Sequence, residues 1–265
     1  LVSYGDASLL RSGVKISDST ITAADALGLI SDTSNSAIFN ISTRITDSSV
    51  NSTTALALVG KLNLSNVSIT GSTALSAADA TTLVGAVKAF GSSLSVTGAI
   101  SASQVSTLLN KINLTGASLQ NADGSAVTIS ASDALSFLGK VGMDANHVIL
   151  ANPTGTLALS LANAQSLVTG TSPAASLPSS GAVVVTGSPT IAQAQNLVNI
   201  ATDDGSSLTF SNGSGGKAAI NTTATGGISS ITVGDFKTLT AANLKFATSD
   251  SVTLEINPSA SPSEL

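Results

Sequence analysis

The 265-residue sequence lacks several residue types on which protein chemistry depends. It has no cysteine and no tryptophan, and only one histidine. Without cysteine there can be no disulfide framework, thiol catalysis or zinc-thiolate site, and a single histidine leaves little for general-base chemistry. Charged residues make up 9% of the chain, against about 25% in ordinary soluble domains. We therefore predict a protein that is not an enzyme, with no catalytic, cofactor-binding or metal-binding residues.

Charge and hydropathy also exclude classes of partner. Ten basic residues face 15 acidic ones, for a net charge of −5, which argues against nucleic acid or an anionic membrane as a partner. No apolar run approaches the ~20 residues of a membrane-spanning helix, so we expect no transmembrane segment. Serine and threonine are abundant instead, with 76 residues. Abundant hydroxyls with few labile side chains are typical of extracellular proteins, and the start at Leu1 indicates a mature or excised segment.

The chain repeats itself. Residues Ile16–Leu27 match Ile45–Leu56 in register at an offset of 29. A small or apolar anchor residue then recurs about eight times, at intervals of 25 to 42 residues. The anchors are Ala26, Ala55, Ala80, Val105, Ala134, Ala164, Ala194 and, with a weaker match, Phe236. Internal repetition of this length predicts one supersecondary unit that is stacked many times.

Each repeat carries the signature of a helix start. Four residues before the anchor is a residue able to cap a helix, and one residue before the anchor is a polar residue such as Asp25 or Gln104. The predicted caps are Thr22, Asn51, Ser76, Ser101, Ser130, Ser160, Thr190 and Thr232. This spacing is that of a capping box, in which a hydroxyl accepts from the backbone N–H three residues on. Apolar residues of helical period follow, as at Ala80, Leu83, Val84 and Val87.

Short apolar segments between the helices read as strands. They are Ala37–Ile41, Leu62–Leu64, Val67–Ile69, Leu94–Val96, Ile112–Leu114, Val127–Ile129, Val148–Leu150, Leu157–Leu159, Val183–Val185, Leu208–Phe210 and Val252–Ile256. Strands that alternate with short helices predict parallel pairing through crossovers.

The fold class we expect is α/β, with repetitive units of a strand and a short capped helix in an elongated solenoid-like or open layered sheet. The alternatives are two compact α/β lobes split near residues 171–180 and a mainly β fold with short helices. We expect residues 1–250 to form an array of about eight units. Residues 251–265 would then hold a final strand and a tail rich in proline and serine.

Three versions of one motif carry a resemblance to a known class of repeat. They are Thr190-Ile-Ala-Gln-Ala-Gln-Asn-Leu197, Thr22-Ala-Ala-Asp-Ala-Leu27 and Ser76-Ala-Ala-Asp-Ala80. The pattern resembles the Ser/Thr-x-Ala-Asp/Gln-Ala-x-x-Leu repeats of very large secreted bacterial surface proteins, of adhesin or surface-layer type, and extends from about Ile16 to Leu239. The resemblance implies surface display, adhesion or self-assembly, and it transfers no catalytic residue.

Few residues are candidates for catalysis, metal binding or phosphate binding. His147 is the only imidazole, and a lone histidine beside a strand is usually a loop or edge residue. Calcium would need converging acids, for which Asp203-Asp204 and the pair Asp18 and Asp47 are weak candidates; we interpret Asp203-Asp204 as a turn. The segment Gly213–Lys217 lacks the spacing of a phosphate-binding loop and is predicted to form a hairpin tip.

The sequence thus predicts an extracellular structural repeat module for self-assembly or adhesion at a bacterial cell surface, as part of a surface layer, filament or large adhesin. Exposed strand edges, in the segment before Ser12 and at Val252–Ile256, are the expected contacts between copies. The alternative is a host- or glycan-binding fibre domain, cellular or viral, in which loops such as Thr202–Gly216 or Pro173–Ser180 bind the partner.

Overall fold

A computed structural model describes residues 19–32, 42–222, 230–247 and 252–255. These residues form eight helices and 17 short strands. The helices are α1 (Ala23–Asp32), α2 (Ser52–Leu58), α3 (Ala77–Val84), α4 (Ala102–Leu108), α5 (Ala131–Phe137), α6 (Leu161–Val168), α7 (Ile191–Asp204) and α8 (Val233–Ala241). The predicted strand Ala37–Ile41 lies outside the described residues.

The strands are short, because each repeat contributes only a few residues to a sheet. They are β1 (Thr20–Ile21), β2 (Arg44–Ile45), β3 (Ser49–Asn51), β4 (Ser68–Thr70), β5 (Ala89–Phe90), β6 (Ser95–Ile100), β7 (Asn113–Leu119), β8 (Val127–Ile129), β9 (Val141–Gly142), β10 (Val148–Leu150), β11 (Thr156–Ser160), β12 (Ala182–Thr186), β13 (Ser207–Ser211), β14 (Ala218–Ala219), β15 (Ser230–Thr232), β16 (Leu244–Lys245) and β17 (Thr253–Glu255).

Every strand pair in the described residues is parallel. Parallel strands cannot be joined by a tight turn, so a crossover must separate them, and here each crossover contains a helix. For example, α2 lies between β3 and β4, and α7 lies between β12 and β13. The mixed α/β class predicted from the sequence is therefore confirmed.

Contacts divide the chain into two compact units. Unit 1 comprises Leu1–Gly124 and Gly139–Gly142, and unit 2 comprises Ser125–Leu138 and Met143–Leu265. Unit 1 holds the three-stranded sheets β3-β4-β5 and β6-β7-β9, and unit 2 holds β11-β12-β13. The segment 171–180, considered above as a boundary, lies inside unit 2 between α6 and β12. Within each unit, helices that are consecutive in the chain pack against each other.

The sheet β11-β12-β13 has the most regular register. All five residues of each strand pair without a bulge, from Thr156 opposite Ala182 to Thr186 opposite Ser211. Val183 and Val185 are fully buried, at 0% exposure, whereas Val184 between them is half-buried. This period of two is typical of a sheet that packs one face on the core.

The segment Leu62–Leu64 was predicted to be a strand, but it makes only an isolated bridge. The Asn63 side chain accepts a hydrogen bond from Ser65 N at 2.9 Å and so turns the chain.

The core of both units is built from the predicted anchor residues. Seven of the eight anchors, Ala26 through Ala194, are 0% exposed, and Phe236, the weakest match, is half-buried and stacks on Phe246. Six of these anchors are alanine, whose small side chain lets the helix lie close to the sheet in a close-packed interior, and α4 accommodates the larger Val105 at the same position. The short helices are marginal alone and depend on this packing.

Candidate functional site

The starts of the helices are built from the predicted cap residues. Seven helices have an N-cap side chain that accepts from the backbone N–H three residues on, and Asp25 N makes the same bond to Thr22 Oγ1, at 3.1 Å, before α1. All eight predicted caps are therefore confirmed. The bond occupies one of the backbone donors that a helix start leaves without an intrahelical partner.

Aspartate and glutamine complete the cap in different ways. In α4 and α7, the glutamine oxygen reaches back to the N-cap backbone, with Ser101 N to Gln104 Oε1 at 3.0 Å and Thr190 N to Gln193 Oε1 at 2.9 Å. Aspartate is one methylene shorter and binds the cap hydroxyl instead, as in Ser76 Oγ to Asp79 Oδ2 at 2.7 Å. The repeat aspartates Asp25, Asp79, Asp133 and Asp235 all make this hydroxyl contact. They are therefore engaged in helix starts rather than gathered into a reactive cluster.

A cleft of about 370 Å³ lies in unit 1 beside the starts of α3 and α4, and alanine and glycine make up half of its lining residues. Ser76, Thr97, Ser101, Gln104 and Gln120 contribute its polar lining. None of the described residues that line this cleft is charged. It can therefore offer neutral hydrogen bonds to a ligand, but no charge to one.

The ends of the helices carry a second pattern, which the sequence reasoning missed. After α2, α4 and α5 the chain passes through one residue with a left-handed backbone, namely Gly60 (φ 78°), Asn110 (φ 62°) and Gly139 (φ 71°). A lysine and an apolar residue follow each time, in Val59-Gly-Lys-Leu62, Leu109-Asn-Lys-Ile112 and Leu138-Gly-Lys-Val141. Glycine and asparagine are the residues that tolerate this conformation at a helix end. The repeated Gly/Asn-Lys-apolar triplet was the signal in the sequence that could have revealed these lysines.

We call Lys61, Lys88, Lys111 and Lys140 the helix-end lysines. Lys88 follows α3 and directly precedes β5, without the left-handed residue. Backbone bonds fix three of the positions: Lys61 N to Leu58 O at 3.0 Å, Lys111 N to Leu108 O at 2.9 Å, and Lys88 N to Val67 O at 2.9 Å. Lys88, Lys111 and Lys140 are exposed and Lys61 is half-buried. Within the described ranges, none of the four forms an ion pair.

Two of these lysines share a cleft of about 240 Å³ in unit 1. Lys88 and Lys111 line this cleft together with the apolar residues Val84, Val87 and Phe90. Both lysines bring a positive charge to this cleft, and a carboxylate bound there would be attracted to both. The arrangement therefore favours an anionic group over a neutral one.

His147 lies in a closed turn of unit 2. Its Nδ1 is 2.8 Å from Asp144 Oδ2, and Asp144 Oδ1 also accepts from Asn146 N at 2.9 Å. The hydrogen bond from His147 holds the pKa of Asp144 below its usual value of 3.8. The pair follows β9 and leads into β10, so the structure gives it the role of a turn, in line with the expectation of a loop residue.

Three of the four acidic residues considered for calcium, Asp47, Asp203 and Asp204, lie within the described residues. Asp18 lies outside the described residues, and Asp47 Oδ2 accepts from Ala23 N, at the start of α1, at 2.7 Å. The prediction of a turn at Asp203-Asp204 is wrong, because these residues end α7 and the left-handed Gly205 (φ 82°) follows. Asp204 Oδ2 accepts from Leu177 N at 2.8 Å. In the part of the chain that the structure describes, no three acids or histidines are grouped to hold a metal.

The predicted hairpin at Gly213–Lys217 is also wrong. β13 pairs with β12, whereas β14 pairs with β16, and both pairings are parallel. Asn212 Oδ1 accepts from Ser214 N at 2.9 Å and Gly216 N at 3.0 Å, so the loop wraps around this amide.

The segment Pro173–Ser180, considered above as a loop that binds a partner, is partly buried. Ala175 is 1% exposed and Leu177 is 2% exposed.

Comparisons with known proteins do not extend this picture. No family model, no curated protein and no solved structure matches the chain. The resemblance to bacterial surface repeats therefore stays a prediction. Among the described helices, none combines the length and the apolar character needed to cross a bilayer.

Proposed function

We propose that this chain is an extracellular structural repeat module that acts at a bacterial cell surface by self-assembly or adhesion. The observation that carries the proposal is the use of the repeated side chains. The anchors fill the core, and the cap hydroxyls and aspartates of the repeats bind one another at helix starts. The recurring residues thus stabilise the scaffold, as expected for stacked-repeat proteins, in which each repeat is held by its own contacts and by those with its neighbours.

A scaffold of this kind works through its exposed surfaces. Low charge lets copies approach without strong repulsion, and the outer strands of each parallel sheet have a strand partner on one side only among the described residues. β17 lies at the edge of the pair β15-β17, and its Leu254 is 43% exposed. This strand belongs to the segment Val252–Ile256 that the sequence reasoning selected, and Ile256 lies outside the described residues.

Electron microscopy and sedimentation of the purified chain test the proposal together. We expect assemblies whose size grows with protein concentration, or retention of the chain on intact bacterial cells. A matched variant, Leu254→Lys, places a charge on the open edge of β17 and should reduce assembly if that edge is used. A chain that stays monomeric at every concentration and does not bind cells would contradict the proposal.

The second candidate function is a glycan-binding fibre domain, and the uncharged cleft beside α3 and α4 favours it. Hydroxyl and amide groups of Thr97, Gln104 and Gln120 line that cleft, and neutral hydrogen bonds of this kind suit sugar hydroxyls. A glycan array distinguishes the two functions: a persistent monomer that binds one class of neutral glycan, and loses binding in Gln120→Ala, supports the second candidate. Thr73→Ala, an exposed change away from the lining residues, is its control.

A further inference from the structure

Charge is divided unequally between the two units. By sequence, unit 1 has seven basic and seven acidic residues, whereas unit 2 has three basic and eight acidic residues. The whole net charge of −5 therefore belongs to unit 2. In a chain with so few charges, this asymmetry leaves unit 2 with a surplus of acids that its own basic residues cannot neutralise, so a local cluster of lysines in another copy would attract it.

The helix ends carry charges of both signs, and unit 1 also has an acid at one of them, Asp32 at the end of α1. Lys61, Lys88 and Lys111 follow the ends of α2, α3 and α4 in unit 1, where a cation is favourable because the C-terminal end of a helix carries partial negative charge. In unit 2, the corresponding end of α7 carries Asp203 and Asp204 instead. An acid at this end opposes the helix dipole, so it costs stability in the isolated molecule.

The carboxylate of Asp203 is accessible to a cation from another molecule. It is exposed, and no side-chain hydrogen bond holds it in the described structure, whereas the neighbouring Asp204 accepts from Leu177 N. Lys88 and Lys111 are exposed at one cleft and form no ion pair in the described ranges. A carboxylate from the α7 end would be attracted to both lysines, and their charge would neutralise its own.

We propose that the helix-end lysines of unit 1 bind the acidic α7 end of unit 2 in a second copy of this chain. The contact joins two different surfaces, so it is head-to-tail, and such contacts build open chains unless the rotation closes a ring. It rests on the self-association in the proposed function and names the residues that carry it. Because the contact is ionic and exposed, added salt weakens it.

Charge reversal tests the assignment. The test variant is Lys88→Glu with Lys111→Glu. The control is Lys217→Glu with Lys245→Glu, which changes the net charge equally but alters exposed lysines of unit 2. Sedimentation velocity at low salt should show at least about tenfold weaker self-association for the test variant, because like charges then face each other. The control should associate as the unaltered chain does. Circular dichroism checks that both variants fold.

Mixing two charge-altered variants tests whether these two surfaces bind each other. Asp203→Lys alone should also weaken self-association, and an equimolar mixture of it with the Lys88→Glu, Lys111→Glu variant should recover association, since each altered surface then meets an opposite charge. If the test variant does not fold, Lys88→Gln with Lys111→Gln replaces it and loses the contact without reversing it.

Each contrary outcome identifies a different failure. Equal loss in the test variant and the control, or no recovery on mixing, overturns the assignment. So does undiminished association of the test variant, which would leave the proposed self-assembly in place through other surfaces. If the lysines instead serve polygalacturonate, an acidic polysaccharide, binding to it will disappear in the test variant while self-association persists. A chain that does not self-associate at all contradicts the proposed self-assembly itself.

Discussion

Units 1 and 2 follow one building rule but carry different charge. In both, a cap side chain starts each helix and, in every helix but α8, a fully buried anchor holds that helix against the sheet. At the helix ends they diverge, with Lys111 after α4 in unit 1 and Asp203 at the end of α7 in unit 2. The comparison separates two kinds of position: buried and capping residues recur in both units because the fold depends on them, whereas the charge at an exposed helix end differs from helix to helix.

Truncating a core side chain should have the largest effect. Leu83 in α3 and Phe210 in β13 are each 0% exposed, and their replacement by alanine should cost about 3 to 5 kcal/mol, through lost burial and the cavity left behind. Urea unfolding measures this cost, and Leu254→Ala, at a side chain 43% exposed, is the control with little effect.

Hydrogen exchange on the same variants sharpens the comparison. In stacked repeats each unit contacts its neighbours in the chain, so Leu83→Ala should reduce protection in α2 to α4 more than in β11 to β13. Equal loss of protection in both units would show that they unfold as one cooperative body.

Removing a cap should have an intermediate effect, which differs between units. Ser76→Ala with Asp79→Ala should cost on the order of 1 to 2 kcal/mol, because the start of α3 loses its side-chain acceptor. Thr190→Ala with Gln193→Ala should cost more, since α7 has the full reciprocal box. Thermal unfolding compares the two, with Ser72→Ala, an exposed serine, as the control. A loss of glycan or cell binding in the first variant without loss of stability would mean that a binding site had been mistaken for a cap.

Helix-end charges should have the smallest effects, and these should have opposite signs. Lys111→Gln removes a favourable interaction with the end of α4, and Asp203→Asn removes an unfavourable one from the end of α7. Each should change the free energy of unfolding by about 0.3 to 1 kcal/mol, the first downward and the second upward. Thermal unfolding of dilute protein at two salt concentrations measures both, and the differences should shrink with salt. Two changes of the same sign would contradict the dipole argument.

Sequence reasoning succeeded where the signal is local. A hydroxyl that binds the backbone three residues away needs no distant partner, so all eight caps were predictable. The apolar segments around Val127, Leu157 and Val183 became strands, because a run of β-branched and apolar residues suits a buried sheet face. Asp203-Asp204 and Gly213–Lys217 were interpreted wrongly, since acids and glycines favour turns in general and only distant pairing decides otherwise.

The sequence by itself determined the repeat, the helix starts, the buried anchors and the mixed α/β class, because each depends on spacing within about one turn of helix or one strand. Tertiary structure alone decided which strands pair, where the chain divides into two units, and that Lys88 and Lys111 lie at one cleft. Those features join residues from different repeats. Their proximity follows from how the repeats pack, and no short pattern in the chain encodes it.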